Sequence, residues 1–158
     1  MFSTQPVWLF KLNQSHPYPD NATAVDWNYP QGSQLIDDTM QTLGDYYGRL
    51  IAWYTKGGFI DEYGQKHVSN YAFDWEYTEI FNEIEAEHEM SAEYYTRAYD
   101  AVVEGIRRHT NNTEMKYVGM ALGGKFQKQT VSDDIQINES FFNIFFFSII
   151  TSARLVER

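Results

Sequence analysis

Apolar side chains recur every three or four residues in two stretches of the chain, 38–56 and 91–109. This spacing predicts two amphipathic helices. Asp37 or Asp38 can cap the first helix, and Ser91 can cap the second. The apolar positions are Met40, Leu43, Tyr47, Leu50, Ile51 and Tyr54 in the first stretch, and Tyr95, Ala98, Tyr99, Val102 and Ile106 in the second.

Residues that favour β-strands occupy 75–83 and 115–121, on either side of the second predicted helix. The order strand, helix, strand predicts a βαβ unit with two parallel strands, and therefore an α/β fold. The polar stretch 57–74 is predicted to be a long loop with a hairpin around 61–64. Residues 7–10 could end a further strand.

Composition and charge narrow the classes of partner. The chain has 158 residues, enough for one domain but short of the roughly 250 residues of a complete (β/α)8 barrel. Its formal net charge is −10 and no basic stripe is present, so we expect no nucleic-acid partner. The most apolar stretch, 141–150, is about half the length of a membrane helix, so we expect no membrane partner. No cysteine is available for a disulfide, a thiolate metal site or a nucleophile.

Four Asn-X-Ser/Thr triplets fit the acceptor pattern for N-glycosylation, at Asn13, Asn21, Asn111 and Asn138. They indicate a glycoprotein, and a secreted or lysosomal location if the full-length protein carries a signal peptide. Chance occurrence in an Asn-rich chain is the alternative. The N-terminal residues themselves do not show a signal-peptide pattern.

Asn82-Glu83 is the main candidate for chemistry, because it ends a predicted strand. Enzymes of alternating strands and helices place catalytic groups where the strands end. A carboxyl group beside aromatic walls can have its pKa raised by desolvation and act as a general acid, while an amide holds a substrate hydroxyl. Such a pair fits the cleavage of a sugar bond, which normally needs two carboxylates. A solvated loop carboxylate is the alternative reading.

The residues that follow Glu83 are strongly acidic and could suggest a metal site. Their spacing fits no named motif, however, so a solvated acidic rim is favoured and we predict neither a metal nor a cofactor. His88 could instead help to shape a sugar pocket. Trp75 and the loop aromatics could stack on sugar faces, although aromatics at such spacing are more often part of a core. The acidic rim consists of Glu83, Glu85, Glu87, His88 and Glu89.

The run from Trp75 to His88 resembles the fourth-strand segment of retaining β-glycosidases built on the (β/α)8 barrel. The similarity is to glycoside hydrolase family 39, which includes β-xylosidases and α-L-iduronidases and follows an apolar strand with Asn-Glu. Three further segments are similar to the third helix, the fourth helix and the fifth strand of that family. They are 45–58, 94–107 and 116–124. The resemblance as a whole covers roughly residues 7–142.

The resemblance implies that Glu83 is the general acid/base and that Asn82 binds the sugar 2-hydroxyl. Ile84 departs from the family, where many relatives have Pro. The resemblance covers only about the third to fifth strands, whereas the family's nucleophilic glutamate comes from the seventh. We therefore expect a fragment that lacks its nucleophile and is inactive alone: a partial (β/α)8 TIM barrel over 1–142 and an atypical Phe-rich tail over 143–158.

The predicted partner is an oligosaccharide or glycoside, bound by Asn82, His88 and Trp75 around Glu83. One alternative is a non-catalytic module that binds a carbohydrate or a protein through the acidic loop and the aromatic segment 57–75. Another is an unstable fragment that self-associates through the unpaired edges of its sheet.

Overall fold

The computed structural model describes residues 5–12, 21, 23, 32–84 and 87–119. A 3-10 turn precedes two helices and four short strands. These residues form an α/β arrangement and no barrel. The elements are the turn Val7–Leu9, helix α1 Gln41–Thr55, strands β1 Gly58–Ile60, β2 Lys66–Val68 and β3 Tyr77–Glu79, helix α2 Ala92–Thr110 and strand β4 Lys116–Val118.

Strands β3 and β4 pair in parallel, with Thr78 opposite Tyr117, and α2 connects them. The βαβ unit expected from the sequence is therefore confirmed. Strands β1 and β2 form a separate antiparallel hairpin, whose turn is held by hydrogen bonds between Asp61 and Gln65. The hairpin expected around residues 61–64 is also confirmed, and it makes the fold mixed rather than purely parallel.

Side chains close the N-terminal ends of both helices. Asp37 Oδ2 accepts the backbone N–H of Thr42 at 2.9 Å, and Ser91 Oγ accepts that of Tyr94 at 3.2 Å. The pKa of Asp37 lies well below its usual value, mainly because the Thr39 hydroxyl donates a hydrogen bond to the carboxylate. The backbone N–H of Thr42 contributes next. Each capping residue satisfies N–H groups that the helix itself leaves unbonded.

The two helices pack with their backbones in contact. A Cβ placed on Gly105 of α2 would lie 2.0 Å from the carbonyl oxygen of Gly44 in α1, and one on Gly48 would lie 2.4 Å from the carbonyl oxygen of Gly105. No real side chain tolerates such distances. The absence of side chains at Gly44, Gly48 and Gly105 therefore sets how closely α1 approaches α2.

One face of the β3–β4 sheet packs on the core and the other is open. Thr78 and Ile80 are buried, and the hydroxyl of Tyr95 in α2 donates to the Ile80 carbonyl oxygen at 2.9 Å. On the opposite face Tyr77 is 57% exposed and Val118 is 44% exposed. Because alternate strand residues point to opposite faces, this sheet is covered on one side only among the residues that the structure describes.

Residues 7–10 were expected to end a strand, but they form the 3-10 turn, closed by hydrogen bonds from Leu9 to Pro6 and from Phe10 to Val7. Phe10 keeps only an isolated antiparallel bridge to Leu35. The predicted tail 143–158 and its boundary at residue 142 lie outside the described residues.

Candidate functional site

Asn82 and Glu83 lie just beyond the carboxyl end of β3. The N–H of Ile80 donates to the carbonyl oxygen of Val118 at 2.9 Å, so contact with β4 continues up to the start of this loop. Both Asn82 and Glu83 are partly exposed. The pair therefore sits at the outgoing edge of a parallel strand pair, the position at which α/β enzymes place their chemistry.

The loop that carries this pair has an unusual backbone. Phe81, Glu83 and Glu89 have positive φ angles of 60°, 43° and 50°. They are three of the six non-glycine residues with positive φ among those described. A left-handed conformation costs a non-glycine residue on the order of 1–3 kcal/mol, and such residues concentrate at functional sites. The packing around the loop has to impose this conformation.

Hydrogen bonds within the loop hold its shape. The N–H of Glu87 donates to the carbonyl oxygen of Glu83 at 2.7 Å, and that of Met90 donates to the carbonyl oxygen of Ile84 at 3.1 Å. The side-chain amide of Asn82 donates to a carboxylate oxygen of Glu87 at 3.2 Å. The carboxylate that lies beside the Asn82 amide is therefore that of Glu87, and a sugar hydroxyl held by Asn82 would have to replace it.

His88 lies inside the core, fully buried below this loop. Its Nδ1 is 2.9 Å from the carbonyl oxygen of Gly32, and its Nε2 is 2.9 Å from the side-chain oxygen of Gln5. The ring stacks on Phe10, with centroids 5.2 Å apart, and meets Phe81 edge-on at 5.4 Å. Burial lowers the pKa of His88, although the hydrogen bond that the ring donates to the Gly32 carbonyl oxygen acts in the opposite direction. The histidine therefore supports the loop from beneath and is not open to a ligand.

Trp75 lies before β3 in the chain, whereas Asn82 and Glu83 follow it. Asn82 comes seven positions after Trp75, a span of up to roughly 23 Å in an extended chain. The structure therefore groups Asn82 with Glu83, places His88 beneath them and places Trp75 at the other end of the strand.

Trp75 belongs to an aromatic cluster that we call the aromatic row, formed by Tyr54, Tyr71, Phe73 and Trp75. The rings of Phe73 and Trp75 are parallel within 2°, with centroids 6.3 Å apart, and Tyr54 stacks on Trp75 at 5.5 Å. Tyr71 and Phe73 are about half exposed, at 46% and 50%. A cavity of about 480 Å³ opens beside this row. The alternating Tyr71-Ala-Phe73-Asp-Trp75 pattern is the sequence signal of the row.

The acidic rim shows no metal site within the part of the chain that the structure describes. No group of three or more His, Asp or Glu side chains is placed there to hold an ion. None of the helices in the same part is long and apolar enough to cross a membrane.

No protein-family model, no curated protein and no solved structure matches this chain. The resemblance to glycoside hydrolase family 39 therefore stays a prediction, and the function has to be argued from the site.

Proposed function

We propose that this chain supplies the acid/base part of a retaining glycoside hydrolase, as a segment of a (β/α)8 barrel. The observation that carries the proposal is the position of Asn82-Glu83 at the outgoing end of β3, in a loop with a left-handed backbone at Glu83. The parallel strands β3 and β4 with α2 between them are also what a barrel segment requires.

In this mechanism Glu83 donates a proton to the glycosidic oxygen as the bond to the leaving group breaks. It then takes a proton from the water that releases the sugar. Asn82 holds the 2-hydroxyl of the sugar during both steps. A second carboxylate about 5–5.5 Å from Glu83 has to act as the nucleophile. The proposal assigns that nucleophile to a strand outside this chain.

The dependence on the leaving group tests the role of Glu83. In the product of the longest transcript that encodes this segment, Glu83→Gln should lower kcat/KM for a methoxyphenyl β-xyloside by about 10²–10⁴-fold. The same variant should cleave a dinitrophenyl β-xyloside far better, because that leaving group departs without protonation. Glu89→Gln, in the same loop, is the matched control and should hydrolyse both substrates normally.

Two results would contradict this proposal. A Glu83→Gln variant that loses both substrates equally, or neither, is not missing a general acid. Turnover by the isolated chain that depends on Glu83 would show that no nucleophile from elsewhere is needed.

A second candidate function is non-catalytic binding of a carbohydrate. The aromatic row supports it, because half-exposed rings such as Phe73 offer apolar faces that can pack on the C–H face of a sugar. This candidate requires neither Glu83 nor a nucleophile.

A further inference from the structure

A second aromatic cavity lies on the side of α1 that faces the hairpin, and neither Asn82 nor Glu83 lines it. It has a volume of about 690 Å³, within the range of small-molecule sites. We call it the α1 groove. Its floor comes from α1, and its walls come from the N-terminal 3-10 turn and the β1–β2 hairpin. The side chains used below are Trp8, Tyr46, Arg49, Trp53, Phe59 and Glu62.

Aromatic rings form two walls of the groove. Trp8 is 53% exposed and meets Tyr46 edge-on, with ring centroids 6.0 Å apart. Trp53 and Phe59 form the second pair, at 6.1 Å. A half-exposed indole at the edge of a cavity offers an apolar face on which a ligand can pack.

Arg49 projects between these walls. Its Nη1 forms an ion pair with Glu62 at 2.6 Å, and its guanidinium lies 6.0 Å from the ring centre of Phe59. Its Nε is buried and has no acceptor within the described part of the chain. A buried donor without an acceptor costs about 1–3 kcal/mol. Because Nε is buried, a ligand in the groove can reach only the 25% of the Arg49 side chain that is exposed.

The charges of the groove restrict the class of ligand. Its charges are already paired, Arg49 with Glu62 at 2.6 Å and Asp45 with Arg108 at 2.7 Å, so no free cation is left for an anion. This balance disfavours an anionic ligand. A neutral sugar matches all three features: its C–H face packs on aromatic rings, its hydroxyl oxygens accept from Arg49, and its hydroxyl protons are donated to carboxylates.

We infer that the α1 groove binds a neutral oligosaccharide, with the exposed part of the Arg49 guanidinium donating to a sugar oxygen and Trp8 covering the sugar ring. The inference rests on the second candidate function, carbohydrate binding, and is independent of the chemistry at Glu83. It assigns the binding to the groove and not to the aromatic row.

Calorimetry with xylotetraose and cellotetraose tests this site on the full chain. Trp8→Ala should weaken binding by about tenfold or more, the effect of losing one stacked ring. Arg49→Lys keeps the charge but removes the planar set of guanidinium donors, and it should weaken binding by a similar factor. Tyr63→Ala removes an 87% exposed aromatic of the hairpin turn outside the groove, and it should bind normally. A trigalacturonate probe should not bind, because it is anionic.

A titration of the unmodified chain protects the test against variants that fold poorly. In ¹H–¹⁵N spectra, the indole signals of Trp8 and Trp53 should shift on addition of xylotetraose or cellotetraose, and the signal of Trp75 should not.

The possible results distinguish binding in the α1 groove from carbohydrate binding elsewhere on the chain. If neither tetrasaccharide binds at millimolar concentration, both the groove and the carbohydrate-binding candidate are wrong. If binding survives Trp8→Ala and Arg49→Lys but is lost in Phe73→Ala, the sugar lies on the aromatic row and only the groove is wrong. Binding by Glu83→Gln should equal that of the unmodified chain, so a failure at Glu83 leaves this result unaffected.

Discussion

A fully buried histidine with a hydrogen-bond partner at each ring nitrogen is restricted in its protonation state. The Gly32 carbonyl can only accept, so Nδ1 of His88 carries a proton. At Nε2 the Gln5 amide can present its oxygen, which suits the charged ring, or after a 180° rotation its NH₂ group, which suits the neutral ring. Because burial lowers the pKa of His88, neutral pH favours the neutral ring and the rotated amide.

This arrangement predicts a loss of stability in mild acid. In the unfolded chain His88 titrates near its ordinary pKa of 6.5, whereas its pKa in the folded chain is lower. Below pH 6.5 the unfolded state therefore binds the proton more readily, and the free energy of unfolding falls as the pH drops, until the folded pKa is reached. The slope contributed by one such group is at most about 1.4 kcal/mol per pH unit.

Urea unfolding of the chain and of His88→Asn at pH 7.5 and pH 5.5 measures this effect. The variant should lose about 3 kcal/mol at pH 7.5, because the ring leaves its two aromatic contacts and Gly32 loses its donor. Its stability should also depend less on pH than that of the unmodified chain. Tyr63→Asn, at an 87% exposed position of the hairpin turn, is the control and should keep the original dependence. An unchanged pH dependence in His88→Asn would contradict the buried neutral ring.

His88 also shows which parts of the site the sequence could predict. Asn82-Glu83 could be placed at a strand end because strand propensity and the residues that follow it are local signals. The partners of His88 are Gln5 and Gly32, which lie 83 and 56 residues away in the chain. No spacing rule reaches such pairs. The sequence could not show that the ring is buried by these partners. The expectation was that it would help to shape a sugar pocket, whereas the structure places it in the core below the loop.

At the level of elements, the helices were predicted within three residues of their observed bounds. A stripe of apolar residues repeats with the helical period, so burial of one helix face can be read directly from the sequence. Residues 7–10 were misread because four apolar residues carry no period. Pro6, with its fixed φ and its carbonyl free to accept from Leu9, starts a tight turn instead.

The contact between α1 and α2 yields an element-scale prediction. Alanine has the higher helix propensity, so Gly105→Ala would stabilise an isolated α2 by about 1 kcal/mol. In the folded chain the new methyl group would lie 2.0 Å from the Gly44 carbonyl oxygen, so the helices must separate. We expect a net loss of about 3 kcal/mol or more, or failure to fold.

Thermal unfolding, monitored by circular dichroism, shows whether Gly105→Ala raises or lowers the stability of the chain. Glu104→Ala, at the exposed neighbouring position of α2, is the matched control and should change stability by less than about 0.5 kcal/mol. A Gly105→Ala variant as stable as the unmodified chain would show that the helices are not held at backbone contact.

At the scale of the whole molecule, the β3–β4 sheet is less covered than parallel sheets usually are. Two parallel strands are a small sheet, and parallel sheets in proteins are usually covered on both faces. Within the described residues only one face of this sheet is covered. The open face and the unpaired edges are what a barrel segment would show without its neighbouring strands, and they agree with the proposed function.

The same open face leads to the prediction that the chain associates with itself. Val118 is 44% exposed on β4, beside an edge that has no further strand among the described residues. We expect light scattering coupled to size exclusion to show a mass that rises with protein concentration, because unpaired edges and apolar faces favour strand pairing between copies.

Val118→Lys should shift the chain towards monomer, since a charge on the open face disfavours such pairing. Val68→Lys, at a 53% exposed position of the hairpin, should leave the association unchanged. A monomer at every concentration, or an equal response to both substitutions, would contradict association through this sheet.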